Sequence, residues 1–261
     1  MSRGPDPEKP RYELKFVVTH EQANAVLKRI QDVMVVDPMA TLSSTSTSST
    51  LEQNAYRVRS VYADNDNLQA YFEKLDGVDP RFKLRLRMYG DEKGDGHAAF
   101  LEVKHRIGAL IQKDRLPLSQ HQARLCCEQG VWSASDLPAH PSSQKVRHFV
   151  LSRIQSAVCT VSYRRQAWVT RLDSGLRVTL DTNLRVAGPD AVWGATSERG
   201  LRFLPSHLAI LELKFHWAAP LWLASLVREI RLVQRRYSKY CSALEALRPD
   251  IAEREVRFSK S

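Results

Sequence analysis

This sequence lacks most of the motifs by which proteins hold phosphates, metals or lipid. No GxxxxGK[ST] or GxGxxG loop occurs, so any phosphate it binds must meet side chains, without a glycine-rich backbone cradle. HExxH and CxxC are absent as well. Cysteine is scarce, and Cys126, Cys127, Cys159 and Cys241 follow neither metal-ligand nor disulfide-framework spacing, which suits a reduced cytoplasm. The eight histidines are scattered, and neither His105 nor His216 sits in a ligand constellation. No apolar run nears 18 residues, which excludes a transmembrane helix. The opening MSRGPDPEKP has no apolar core and reads as a disordered leader over residues 1–10, not as a signal peptide.

Acid is also in short supply. Thirty-nine lysines and arginines face 29 acids in 261 residues, a net charge of +10. That excess points to an anionic partner: nucleic acid, anionic lipid or phosphorylated small molecules. With 43% hydrophobic residues, the chain can bury one good core and is short for two full domains.

What is present is organised around Arg81–Tyr89, RFKLRLRMY. Arg81, Lys83, Arg85 and Arg87 alternate with Phe82, Leu84, Leu86 and Met88, the period of a β-strand with one cationic and one apolar face. Same-face neighbours about 7 Å apart repel by roughly 2 kcal/mol per pair at an effective dielectric near 20. Water would dissipate that on an exposed face; an enclosed face needs acids or an anionic ligand. The pattern recurs. Glu13 and Lys15, Glu102 and Lys104, and Glu212 and Lys214 share faces in YELKF, LEVKH and LELKF, and LRVTLDT sets Arg177, Thr179 and Asp181 opposite Leu176, Val178 and Leu180. Five such strands suggest a sheet curled so that charged faces look at one another, with helices on the apolar outside.

Taken in order, a strand at 11–18 leads to a helix over 21–34 capped by Thr19 and Gln22. Residues 41–50, TLSSTSTSST, read as a mobile loop. A strand over 55–62 carries Arg57 and Arg59 on one face, taken as the inner one. GDEKGDG is a hairpin loop, 110–116 a further strand, and helices follow over 119–130 and 142–154. Strands over 160–171, 177–186 and 207–215 precede a helix running from Pro220 to Arg236. Roughly eight strands with helical insertions make an α+β protein on an antiparallel sheet or barrel.

The proposed inner face holds Lys15, Arg57, Arg59, Lys83, Arg85, Arg87, Lys104, Arg165, Arg177 and Lys214. Arginine forks match phosphate oxygens, so the set suits a chain of phosphates. Glu13, Glu102 and Glu212 either pair with neighbouring bases or ligate Mg²⁺ or Mn²⁺ among phosphates. Nucleic acid fits less well, because the bases are paired with glutamates and lack interleaved stacking aromatics.

Together with Tyr163-Arg164-Arg165, Thr179-Leu180-Asp181 and Tyr237-Ser238-Lys239-Tyr240, these strands resemble the VTC domain, in order, from residue 11 to about 247. This is the polyphosphate polymerase domain of the vacuolar transporter chaperone family, one of the CYTH-like triphosphate tunnel metalloenzymes. The resemblance implies a single domain over 11–247 with a tail at 248–261. It also implies a closed antiparallel barrel of about eight strands, its lumen charged and its helices outside. Lys15, Arg85, Arg87, Lys104 and Arg165 match the family's phosphate-binding bases, Glu212 its metal-binding glutamate, and Ser238 and Lys239 the phosphate contacts that follow the final helix. The expected catalytic residues are then Arg85, Arg87, Lys104, Arg165 and Lys239. Lys15, Arg57, Arg59, Lys83, Arg177, Lys214, Tyr163 and Ser238 are expected to bind substrate, and Glu212, Glu13 and Glu102 the metal. VYADNDN departs from the family's pattern, so no role passes to Asp64. The implied reaction moves the γ-phosphoryl of ATP to polyphosphate with Mn²⁺ or Mg²⁺. A triphosphatase and a polyphosphate sensor are the alternatives. The SPX domain and membrane helices of the eukaryotic complex have no counterpart in the sequence, so export is not expected of this chain alone.

Overall fold

The computed structural model describes residues 11–38, 54–90, 99–128, 137–141, 143–152, 156–171, 175–192 and 199–251. The leader, the 41–50 loop and most of the GDEKGDG turn and C-terminal tail lie outside them. In chain order the elements are β1 (Tyr12–Thr19), α1 (His20–Ile30), β2 (Met34–Val36), β3 (Tyr56–Asp64), α2 (Gln69–Leu75), β4 (Arg81–Tyr89), β5 (Ala99–Ile107) and β6 (Leu110–Leu118). Then come α3 (Gln120–Glu128), α4 (Ser143–Ser152), β7 (Ser156–Thr170), β8 (Arg177–Ala187), β9 (Leu201–Arg202), β10 (Leu208–Phe215), α5 (Leu221–Glu229) and α6 (Lys239–Leu247).

Eight strands form one antiparallel path, β1-β10-β8-β7-β3-β4-β5-β6, with short β2 and β9 attached to β7 and β8. The sheet curls until its edge strands approach. There Arg11 and Ile111 exchange two backbone hydrogen bonds of 3.1 Å, and among the described residues no longer ladder joins β1 to β6. The expected closed barrel is therefore an open, curled half-barrel. Further along the β1 edge Phe16 bridges Gln234, and Arg235 donates its N–H to the Lys15 carbonyl at 2.9 Å.

Alternation settles which face is which. Phe16, Val18, Val178, Leu180, Leu211 and Leu213 form a convex-side core with Val26, Leu27 and Ile30 of α1 and Leu223 and Leu226 of α5. A second convex-side core joins Leu84, Leu86, Met88, Leu101 and Val103 to Ala123 of α3 and Val146, Phe149 and Val150 of α4. Each such side chain contributes roughly 1.5–3 kcal/mol by leaving water. The Thr19 capping box starts α1: Gln22 N–H donates to Thr19 Oγ1, and Thr19 N–H to Gln22 Oε1.

One helix breaks the expectation of an all-outside layer. Tyr240, Cys241, Ala243 and Leu244 of α6 pack with Tyr62, Val161, Tyr163 and Ile210, which share the concave face with the charged residues. α6 thus plugs part of the interior. The helix expected from Pro220 to Arg236 ends at Glu229, where Arg231 takes a φ of +54°. Leu232 N–H bonds the Val227 carbonyl and Arg231 N–H that of Arg228, a Schellman stop. Among the described residues no helix is long and apolar enough to cross a membrane.

Candidate functional site: a cationic cavity

The unfilled part of the concave face is a cavity of about 310 Å³. Its wall carries seventeen lysines and arginines and two carboxylates, Glu13 and Glu212. Register builds it strand by strand. On β4, Lys83, Arg85 and Arg87 stand opposite Lys104, Glu102 and Phe100 of β5, and Arg85 and Arg87 face Tyr62 and Ser60 of β3. Neighbouring strands β7, β8, β10 and β1 bring in Tyr163 and Arg165, Arg177, Glu212 and Lys214, and Glu13 and Lys15.

Four carboxylates organise the cations. Glu212 lies 2.6 Å from both Lys214 Nζ and Lys239 Nζ, 3.3 Å from Lys15 Nζ and 3.6 Å from Arg165 Nη2. Asp181 stands beside it, accepting two bonds from Arg165 at 2.6 and 2.7 Å and lying 2.7 Å from Lys239 Nζ. Glu102 is fully buried and accepts from Arg85, Lys113 and Arg115, with Arg87 at 3.8 Å. Glu13 takes a 2.6 Å bond from Lys104 of β5, so this ion pair spans the open seam of the sheet.

Burial alone would raise the carboxyl groups, but the surrounding ammonium and guanidinium groups hold Glu13, Glu212 and Glu102 well below the usual range. On some lysines of the crowded wall burial wins instead. Burial pushes Lys104 down to about 7 against the pull of Glu13, and Lys113 down to about 8 against that of Glu102. Burial would raise the Tyr89 phenol, yet Arg87, Arg115 and Lys113 bring it down to about 7. Lys239 and Lys15 go the other way: Asp181 and Glu212 outweigh the burial of Lys239, and Glu13 and Glu212 that of Lys15, and raise both. A cavity this short of negative charge is poised for an anion of several charges.

Of the residues singled out from sequence, Lys15, Lys83, Arg85, Arg87, Lys104, Tyr163, Arg165, Arg177, Lys214, Ser238 and Lys239 line this one cavity. Arg57 and Arg59 do not. Their register partners include Arg164, Met88 and Ser162, on the face opposite Ser60 and Tyr62, because residues of one parity share a face. Glu102, also expected among the metal ligands, does not line the cavity: it sits behind the wall, engaged by four cations. Ser238 and Lys239 begin α6 and do not end the preceding helix. Ser238 Oγ accepts from Cys241 N–H at 3.3 Å as the N-cap, and also from Lys83 Nζ at 2.9 Å. Asp64 is a structural cap: it accepts from the N–H groups of Ala70 and Tyr71 and from the Tyr240 hydroxyl at 2.6 Å. Sequence reading missed Arg11, Lys74, Arg106, Lys113, Arg115, Arg235 and Arg236 on the wall; it set Asp181 on a charged face but gave it no role, and the structure buries it behind the wall. The alternation of Lys113 and Arg115 was the available signal.

Among the described residues no three Asp, Glu, His or Cys side chains converge into a protein-only metal site. The two carboxylates that line the cavity, Glu13 and Glu212, are oxygen donors of the kind a hard cation prefers, and each is ion-paired with both Lys15 and Lys214.

Residues 10–248 match the VTC domain family. The chain belongs to that family. Over 152 residues this VTC domain is 28% identical to vacuolar transporter chaperone complex subunit 4 of Schizosaccharomyces pombe, covering 51% of the chain and 21% of the relative. The subunit of the same name from Trypanosoma cruzi is 23% identical over 231 residues, 73% of this chain and 28% of that one. The VTC domain described here thus spans less than a third of either relative. Among solved structures it is similar to the PH1819 protein of Pyrococcus horikoshii OT3 (TM-score 0.45, 13% identity, 90% and 98% of the two chains). It is also similar to the Mimivirus capping enzyme triphosphatase (TM-score 0.39, 9% identity, 86% and 89%).

Proposed function

We propose that this VTC domain is a phosphotransferase that passes the γ-phosphoryl group of ATP to a growing polyphosphate chain, in a reduced cytoplasm. The observation that carries the reading is the charge of the cavity wall, seventeen cations against two carboxylates around about 310 Å³. Membership in a family of polyphosphate polymerases supplies the acceptor. With the anion in place, the half-barrel acts as a tunnel whose open seam is held by Lys104 and Glu13.

In this reading Arg85, Arg87 and Arg165 clamp phosphate oxygens bidentately, while Lys104 and Lys239 act as point charges on the transferring group. Lys15, Lys83, Arg177, Lys214, Tyr163 and Ser238 hold the rest of the phosphate chain. Glu212 and Glu13 would hold a Mn²⁺ or Mg²⁺ ion, which when bound disperses charge on the bridging phosphates. Phosphoryl transfer asks little more than this positioning and electrostatic stabilisation.

The test is to incubate the pure protein with ATP and Mn²⁺ or Mg²⁺ and resolve the products on a gel. A ladder of polyphosphate supports the reading. Release of orthophosphate from tripolyphosphate without a ladder would make the protein a hydrolase. Tight binding with neither product would make it a sensor, and failure to bind tripolyphosphate would remove the phosphate site altogether.

A further inference from the structure

The largest exposed apolar side chains cluster away from the cavity wall. Trp217 is 91% exposed and Leu221 87%, and Trp222 at 38% completes a group of three within six residues, WAAPLW, at the junction of β10 and α5. Isolated exposed apolar residues are ordinary; two tryptophans and a leucine together where a strand runs into a helix are not. Nothing in the fold needs them there, since α5 is anchored through Leu223 and Leu226 on its other side.

The charges beside the group indicate what covers it. Leu221 and Arg228 are seven residues apart, so they share one face of α5 about 10 Å apart along its axis. Arg228 and Arg231 are exposed. Glu229, the one acid between 217 and 236, is engaged by Arg29 of α1 at 2.8 Å, beside exposed Lys28. The surface is therefore apolar at one end of the helix and cationic at the other. Tryptophan and leucine settle at the boundary of headgroups and acyl chains, and neighbouring arginines pair with lipid phosphates.

We propose that this face, Trp217, Leu221 and Trp222 flanked by Lys28, Arg228 and Arg231, docks the protein peripherally on a bilayer of anionic lipid. α5 would lie along the interface. At nine residues it is far too short to cross. Docking is separate from the chemistry of the cavity and does not depend on it.

Co-sedimentation with vesicles of phosphatidylcholine and phosphatidylglycerol tests the proposal, using the full chain without nucleotide. The wild type should pellet with anionic vesicles and stay in solution with pure phosphatidylcholine. The double variant W217S/L221S should bind at least tenfold more weakly with an unchanged Tm, since both side chains are exposed. A blue shift of tryptophan emission should accompany binding of the wild type. Retained binding of W217S/L221S would trace the attraction to the cationic cavity alone and overturn the proposal. So would a wild type that ignores the vesicles, or one that self-associates through Trp217 in their absence, as seen by sedimentation velocity.

Discussion

Glu212 neutralises four cations at once, and that sets the consequences of changing it. Glu212→Gln keeps the shape of the side chain but leaves Lys15, Lys214, Lys239 and Arg165 short of a counter-charge. The empty protein should lose on the order of 3 kcal/mol, read from denaturant unfolding, because uncompensated buried charge is costly. Tripolyphosphate should bind as tightly as before or tighter and restore most of the loss. Polymer synthesis should fall by orders of magnitude, since the main candidate anchor for the ion is gone. Synthesis at the wild-type rate would transfer that role to Glu13. Lys239 behaves differently from a residue on a surface turn. It is buried and lies within 2.7 Å of both Asp181 and Glu212, so Lys239→Ala should cost about 3 kcal/mol in stability. It should also lower kcat/KM for ATP at least tenfold, about 1.4 kcal/mol of transition-state stabilisation. A variant with normal kinetics, assayed where it is fully folded, would confine Lys239 to a structural role.

At the scale of elements, the strands with strict alternation were legible and the helices near the site were not. β4, β5, β8, β10 and β1 each carry a charged and an apolar parity, so their inner faces follow from the sequence alone. β3 could not, because both its parities are buried and the concave face is served by Tyr62 and Ser60 as well as by charge. Register alone placed Arg57 and Arg59 on the other side. Arg57→Ala should therefore leave the Kd for tripolyphosphate within about twofold in calorimetry, whereas Arg87→Ala should raise it at least tenfold. Equal losses in both would put Arg57 back in contact with ligand. The end of α5 was hidden for a related reason. Its apolar stripe continues through Ile230 and Val233, while the residue in the left-handed stop position is Arg231 and not the expected glycine. Reading past that stop concealed α6, although Ser238 is a good N-cap.

The whole molecule is a charged shell whose proton affinity and ligand affinity are linked. Lys104 is lowered to about 7, Lys113 to about 8 and Tyr89 to about 7, each below its ordinary value. From pH 7 to about 9 the unfolded chain therefore binds more protons at these groups than the folded one does. Stability of the empty protein must then rise with pH across that window, the reverse of what a paired lysine would give. Anion binding should move the other way. Deprotonating Lys104 and Lys113 removes positive charge, and ionised Tyr89 adds negative charge, so the wall attracts phosphate less as pH rises. The increase in Tm caused by tripolyphosphate, a mass-action effect on the native state, should be largest near pH 6.5 and shrink by pH 9. Ligand protonation changes over the same range, so Lys104→Arg supplies the control. An arginine stays charged throughout, and the wild type should lose about tenfold in affinity relative to this variant between pH 6 and 8. Parallel pH profiles for the two proteins would show that Lys104 does not titrate in the cavity.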